Sequence, residues 1–139
     1  MSTGARRPVD DLVGLTVTHR RYVPYSHAHY AGHLVDGAYG LGLFGDVATE
    51  LCIRTDGDEG LFASYSDVQF QSAVRAGDLV EASAELVAVG RRSRTMRFRL
   101  LVVGRGRPGL GESAARILDE PLVATTATGV VVVPASDSA

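Results

Sequence analysis

The chain has 139 residues, 45% of them hydrophobic and 22% charged, with a formal net charge of −2 at pH 7. Residues 1–139 suit a single globular domain, and a mixed, near-neutral charge predicts no nucleic-acid partner and no attraction to an anionic membrane. All 14 basic residues are arginine, which excludes lysine Schiff bases, covalent pyridoxal sites and the P-loop ammonium. The one cysteine, Cys52, allows neither an internal disulfide nor a cysteine-built zinc cluster.

The first eleven residues are polar and lack the apolar core of a signal peptide. Residues 1–11 and 135–139 are expected to be flexible. The longest apolar run, 129–134, is far too short to cross a bilayer, so a cytoplasmic setting is expected. Residues 15–23 read as a first strand that ends at Pro24, because proline cannot donate to a ladder. Residues 25–34 read as a loop rich in His and Tyr. Asp36 then stands as N-cap of a helix to about Arg54, with Leu41, Phe44, Ala48, Leu51 and Cys52 at helical spacing. Tyr39, Leu43, Val47 and Ile53 extend the apolar surface nearly all round, the mark of a buried helix. Gly40, Gly42 and Gly45 each weaken it by roughly 1 kcal/mol relative to Ala, so something packs close to its backbone.

Residues 55–60 form a turn, and four strand segments follow: 61–70, 79–89, 94–103 and 122–133. In the second, Val80, Ala82, Ala84, Leu86 and Ala88 alternate with Glu81, Ser83 and Glu85. In the third, Met96, Phe98, Leu100 and Val102 alternate with Arg97 and Arg99. Residues 104–121 read as a glycine- and arginine-rich excursion with one helical turn at 113–118. A strand, a buried helix and four more strands predict an α+β hot-dog fold, a five-stranded antiparallel sheet wrapped around one long central helix. Such a subunit leaves a sheet edge open, so a homo-oligomer is expected: a dimer, or a trimer of dimers.

Three features could carry chemistry. His27, His29 and His33, with Tyr30, crowd the loop before the helix. They lack the companions of a metal site and read either as a substrate-site loop or as a solvated loop capping backbone groups. Asp46 and Glu50 lie i, i+4 on one helix face. Two like charges there push at least one pKa upward, as a general acid or base needs, unless an arginine such as Arg54 neutralises Glu50. The helix start at Asp36, Gly37 and Ala38 offers free amides to a developing negative charge. Cys52 faces the helix core and reads as an inert thiol. Arg91 and Arg92, in a hairpin turn, could meet phosphates or stand in solvent.

These residues carry a family resemblance. The stretch from His29 to Ala38 (HYAGHLVDGA), Phe44 to Leu51 (FGDVATEL) and Asp56 to Phe62 (DGDEGLF) are similar to the β-aminoacyl-CoA ammonia-lyases. So are Asp67 to Phe70 (DVQF), Ala73 to Asp78 (AVRAGD), Val89-Gly90 with Ser93 and Thr95, and Ala127 to Gly129. The resemblance implies a hot-dog fold and reversible addition of an amine to an α,β-unsaturated acyl thioester of CoA or of an acyl carrier protein. It implies no metal or redox cofactor; CoA or phosphopantetheine belongs to the substrate. Similar proteins use ammonia or a small amino acid such as glycine, and some also hydrolyse the thioester. Family members carry an acidic residue at position 27 and an Asn at position 33, where this chain has histidines, which points to a different amine. In the mechanism this implies, the thioester carbonyl meets the amides of Gly37 and Ala38. Asp46 or Glu50 transfers the C2 proton, and Asp46, His29 or Tyr30 handles the amine. The alternative is an acyl-thioesterase, in which the helix carboxylate activates water; it needs the same fold.

Overall fold

A computed structural model of the chain describes residues 8–135. In chain order the elements are β1 (Thr16–Tyr22), β2 (Ala28–Tyr30), β3 (Leu34–Val35), α1 (Gly37–Asp56), β4 (Leu61–Phe70), β5 (Val74–Arg75), β6 (Leu79–Val89), β7 (Ser93–Gly106) and β8 (Ala115–Val132). Five strands form one antiparallel sheet in the order β1-β6-β7-β8-β4, and α1 packs across its inner face. This is the expected hot-dog arrangement. Alternation produces it: Val80, Ala82, Ala84 and Leu86 of β6 and Met96, Phe98, Leu100 and Val102 of β7 are buried against Phe44, Val47, Ala48 and Leu51 of α1. The rings of Phe44 and Phe98 stack with centroids 5.0 Å apart. Ala88 leaves the buried series because the β6–β7 register shifts between Leu86 and Ala88, and it is exposed.

The glycines of α1 divide. A β-carbon on Gly37 would strike the Phe70 ring, and one on Gly40 would lie 2.9 Å from Leu100 Cδ2. These two let the sheet close on the first turns of the helix. Gly42 and Gly45 have nothing within 4 Å of that position, so the close packing expected of them is absent in this subunit. The helix runs to Asp56, two residues beyond expectation. It ends on Gly57 in the left-handed conformation, whose amide donates to the Ile53 carbonyl at 2.9 Å.

Two expectations are corrected. The segment 25–34 is not a free loop: β2 and β3 pair with each other, and β3 with β5, in a second, three-stranded sheet. Residues 104–121 are not an excursion with a helical turn at 113–118. Instead β7 and β8 continue as a hairpin through Gly104↔Ile117 to Gly106↔Ala115, with a 3-10 turn at Pro108–Leu110. Backbone hydrogen bonding across the ladder takes precedence over the weak helical spacing there. The flexible ends expected at 1–11 and 135–139 fall largely on residues 1–7 and 136–139, outside the described residues. Val9–Leu12 forms a 3-10 turn, and Leu12 packs on the core.

Two buried ion pairs tie the frame. Arg94 reaches from β7 to the end of α1 and donates to both Asp56 oxygens, at 2.9 and 2.7 Å. Asp78, 1% exposed, accepts from Arg105 at 3.0 and 2.8 Å and from the Arg75 amide at 2.8 Å. Among the described residues no helix is long and apolar enough to cross a membrane. Removing one partner leaves a buried charge alone, so Arg94→Met is expected to lower unfolding free energy by about 3–5 kcal/mol in urea titrations. Adding Asp56→Leu should recover most of that loss. A single variant within about 0.5 kcal/mol of wild type would show that the pair contributes nothing.

Candidate active site

The start of α1 opens on a cleft of about 580 Å³. Asp36, Gly37 and Ala38 form one side, and Phe70 and residues 71–74 form the other. Tyr30 and Tyr39 stand at its rim, with Leu100 and Thr125 also in its lining. Asp36 occupies the N-cap position in extended backbone, but its carboxylate makes no capping hydrogen bond. The amides of Gly37 and Ala38 therefore stay available, which is the arrangement that binds negative charge.

Two of the histidines pack against these tyrosines. His27 packs its ring against Tyr39, centroids 4.5 Å apart, and His29 meets the edge of Tyr30 at 4.6 Å. The tyrosines, not the imidazoles, line the cleft. His33 follows Gly32 in the left-handed region (φ 63° after 74°), and its carbonyl accepts from the Ala76 amide at 2.9 Å. A non-glycine residue held there is strained, and the β3–β5 pairing keeps it in place. Among the described residues no three His, Cys, Asp or Glu side chains converge as metal ligands.

Asp46 and Glu50 share a helix face but not a role. Glu50 is clamped: Oε1 lies 2.7 Å from His19 Nε2 on β1, and Oε2 accepts from Arg54 Nε at 2.8 Å. The His19 contact and then the Arg54 contact hold its carboxyl below its ordinary value of 4.5. The upward shift expected of the carboxylate pair is thus not found at Glu50. Asp46 is exposed and accepts no hydrogen bond among the described residues. It lines a second cleft of about 330 Å³ with Gly45, Thr49 and Phe62. The Tyr39 phenol is pushed up by burial, a rise that Arg21 opposes and Asp46 augments.

The arginine turn lies elsewhere. Arg94 donates to the Gly90 carbonyl as well as to Asp56, which fixes the turn 90–92 at the C-terminal end of α1. A helix of 20 residues is ~30 Å long, so Arg91 and Arg92 do not reach their own chain's cleft. Arg92 is engaged with the Val133 carbonyl at 3.2 Å. Cys52 is fully buried and its thiol is pushed up to about 11 by that burial, as an inert core thiol requires. Sequence spacing gave no sign of His19 or Thr125 as neighbours of the site, because each joins it through tertiary contacts.

Residues 32–107 match the family model of the thioesterase superfamily, which fits a hot-dog domain with a cleft at its helix start. Over 107 residues the chain is 49% identical to a 3-aminobutyryl-CoA ammonia lyase of Acetoanaerobium sticklandii, covering 77% of this chain and 85% of that protein. The fold superposes on β-alanyl-CoA:ammonia lyase of Clostridium propionicum with a TM-score of 0.82 and 34% identity, covering 87% of this chain and 86% of that one. A hexameric hot-dog thioesterase of Campylobacter jejuni shares the fold at a TM-score of 0.69 and 15% identity, over 86% and 83% of the two chains. Within the superfamily, this chain belongs to the β-aminoacyl-CoA ammonia-lyase family.

The Glu50 clamp has a pH signature. Its pKa is lowered in the folded state, so its stabilisation is complete above the ordinary carboxylate value and is lost as pH falls through the lowered one. Glu50→Gln is expected to depress Tm most at the upper end of a series between about pH 3 and 5.5, with the gap to wild type closing toward the acid end. A gap that stays constant across the series would remove these contacts from the stability of the fold.

Proposed function

We propose that the protein catalyses reversible elimination of an amine from C3 of a β-aminoacyl-CoA thioester, giving the α,β-unsaturated thioester. The uncapped helix start opening on a cleft is the observation that carries this reading, and membership of the ammonia-lyase family supports it. A carboxylate takes the C2 proton, and the electron pair moves onto the thioester oxygen at the Gly37 and Ala38 amides. The enolate then re-forms its carbonyl and expels the C3 ammonium as neutral amine. One well-placed donor to such an oxygen contributes about 3–4 kcal/mol.

Asp46 is the free carboxylate for this step, since Glu50 is clamped on both oxygens. Asp46 stands nine residues beyond Gly37, ~13 Å along the helix, too far to serve its own chain's helix start. A second copy resolves the distance. β4 pairs only with β8 and leaves an open edge, beside which Ile53, Leu61 and Phe70 are more than half exposed. A two-fold pairing of β4 with itself sets the Leu61 end of one copy beside the Phe70 end of the other. The cleft holding Asp46 and Leu61 in one copy then adjoins the helix-start cleft in the other. The working unit is therefore a homodimer or an assembly of dimers. The same pairing brings the Arg91–Arg92 turn of one copy toward the other's cleft mouth, where it suits the phosphates of CoA or of a carrier arm. A lone buried thiol fits a cytoplasmic location.

Crotonyl-CoA incubated with ammonia or glycine, with products read by mass, tests the reaction; free crotonate without adduct would favour the thioesterase reading. Asp46→Asn is expected to cut turnover at least roughly tenfold. Co-expressing Asp46→Asn with Gly37→Val, which blocks the other half-site, should restore activity that neither variant has alone. Failure to complement would place both groups in one subunit.

Histidines at positions 27 and 33, in place of the family's acidic residue and Asn, support an amine that carries an anionic group. His27→Asp and His33→Asn are expected to shift the ratio of kcat/KM from glycine toward ammonia. An unchanged ratio would remove the histidines from amine selection.

A further inference from the structure

One buried polar group is left over by everything above. Along β8 the inward positions Val131, Gly129 and Ala127 are buried and apolar, and Thr125 continues that row. Thr125 is 4% exposed, and its hydroxyl has no hydrogen-bond partner among the described residues. A buried hydroxyl left unpaired is unfavourable, and valine would fill the same volume without that cost.

The backbone is built to hold Thr125 where it is. Leu100 pairs with Thr125 and Leu101 with Val123, so Ala124 is the extra residue of a bulge. The Ala124 carbonyl accepts the amides of Gln71 and Ser72 at 2.7 and 3.2 Å. One irregularity therefore aims Thr125 and fixes the cleft wall opposite the helix start. Thr125 lines that cleft, and its Oγ1 lies 3.9 Å from the point a β-carbon on Gly40 would occupy. Gly40 is one helical turn below Gly37, ~4.5 Å along the axis. The hydroxyl thus sits on the cleft floor, one turn deeper than the amides that receive the thioester oxygen.

In a β-aminoacyl thioester, C3 lies two bonds from the carbonyl carbon. An acyl group whose oxygen meets Gly37 and Ala38 therefore presents its C3 substituent about one helical turn away. We propose that the Thr125 hydroxyl is the hydrogen-bond partner of the C3 nitrogen, accepting from the ammonium and so fixing which face of C3 it leaves. The inference rests on the reaction proposed above and assigns a residue to the amine itself. The pairing satisfies the buried oxygen only while a β-amino substrate is bound. The unsaturated product, with no heteroatom at C3, leaves it unpaired again, so product binding gains nothing from the hydroxyl.

Thr125→Val keeps the shape and removes the hydroxyl; Thr125→Ser keeps the hydroxyl. With 3-aminobutyryl-CoA, kcat/KM for elimination is expected to fall roughly ten- to hundredfold in Thr125→Val and to stay near wild type in Thr125→Ser. Affinity for crotonyl-CoA without amine, measured by calorimetry, is expected to be unchanged in both. Equal losses for the two ligands would mean that Thr125 shapes the cleft without reading the nitrogen, and would overturn the assignment. Wild-type kcat/KM in Thr125→Val would also overturn it while leaving the proposed reaction standing. A wild-type enzyme that eliminates no amine would overturn both.

Discussion

A single sheet covers only one side of a helix: Leu43, Phe44, Val47, Ala48, Leu51 and Cys52 of α1 are buried beneath it, and Gly42, Asp46, Thr49 and Ile53 are left exposed. That one-sided cover governs the rest of the molecule. The sheet closes tightly on the first turns of α1 because Gly37 and Gly40 present no side chain to Phe70 and Leu100. It leaves the helix start unroofed, and the flank with Gly42, Gly45 and Asp46 bare. The open start becomes a cleft with free amides. The bare flank and the open edge of β4 are the surface on which the proposed second copy would sit.

The charges are arranged around the same frame. Buried carboxylates need partners that can satisfy both oxygens, and a chain without lysine meets that need with the guanidinium fork. Asp56 and Asp78 each take two hydrogen bonds from one arginine, and Glu50 takes one on each oxygen. Asp46 accepts none among the described residues. The acid with no structural task, beside a cleft, is the one to which the proposed reaction gives the proton.

The long periodic segments were readable before any coordinates, because β6 and β7 alternate over many residues and α1 keeps a helical stripe. β2 and β3 were not, since two or three residues cannot show a period; they form because Leu34 and Val35 find Arg75 and Val74 across a gap of about 40 positions. The hairpin arm was misread because glycine and arginine interrupt its pattern. At the site, the spacing of Asp46 and Glu50 was legible, and so was Arg54 as a partner for Glu50 at i+4. The second half of the clamp, His19, was not, because it lies 31 residues away on another element. Thr125 was hidden for a different reason: its orientation depends on a bulge, and nothing in Ala124 announces one.

Arg105 gives the hairpin arm a meaning that its exposed tip conceals. Its guanidinium holds Asp78 and also the Ala73 carbonyl, at 2.9 Å, on the wall of the cleft. Register in the arm is set by pairs such as Gly104↔Ile117 and Arg105↔Arg116. A slip of one residue would turn Arg105 to the opposite face and release that wall. The root of the arm, through Arg105, thus braces the wall of the helix-start cleft, while its tip at Pro108–Leu110 stands clear of that contact.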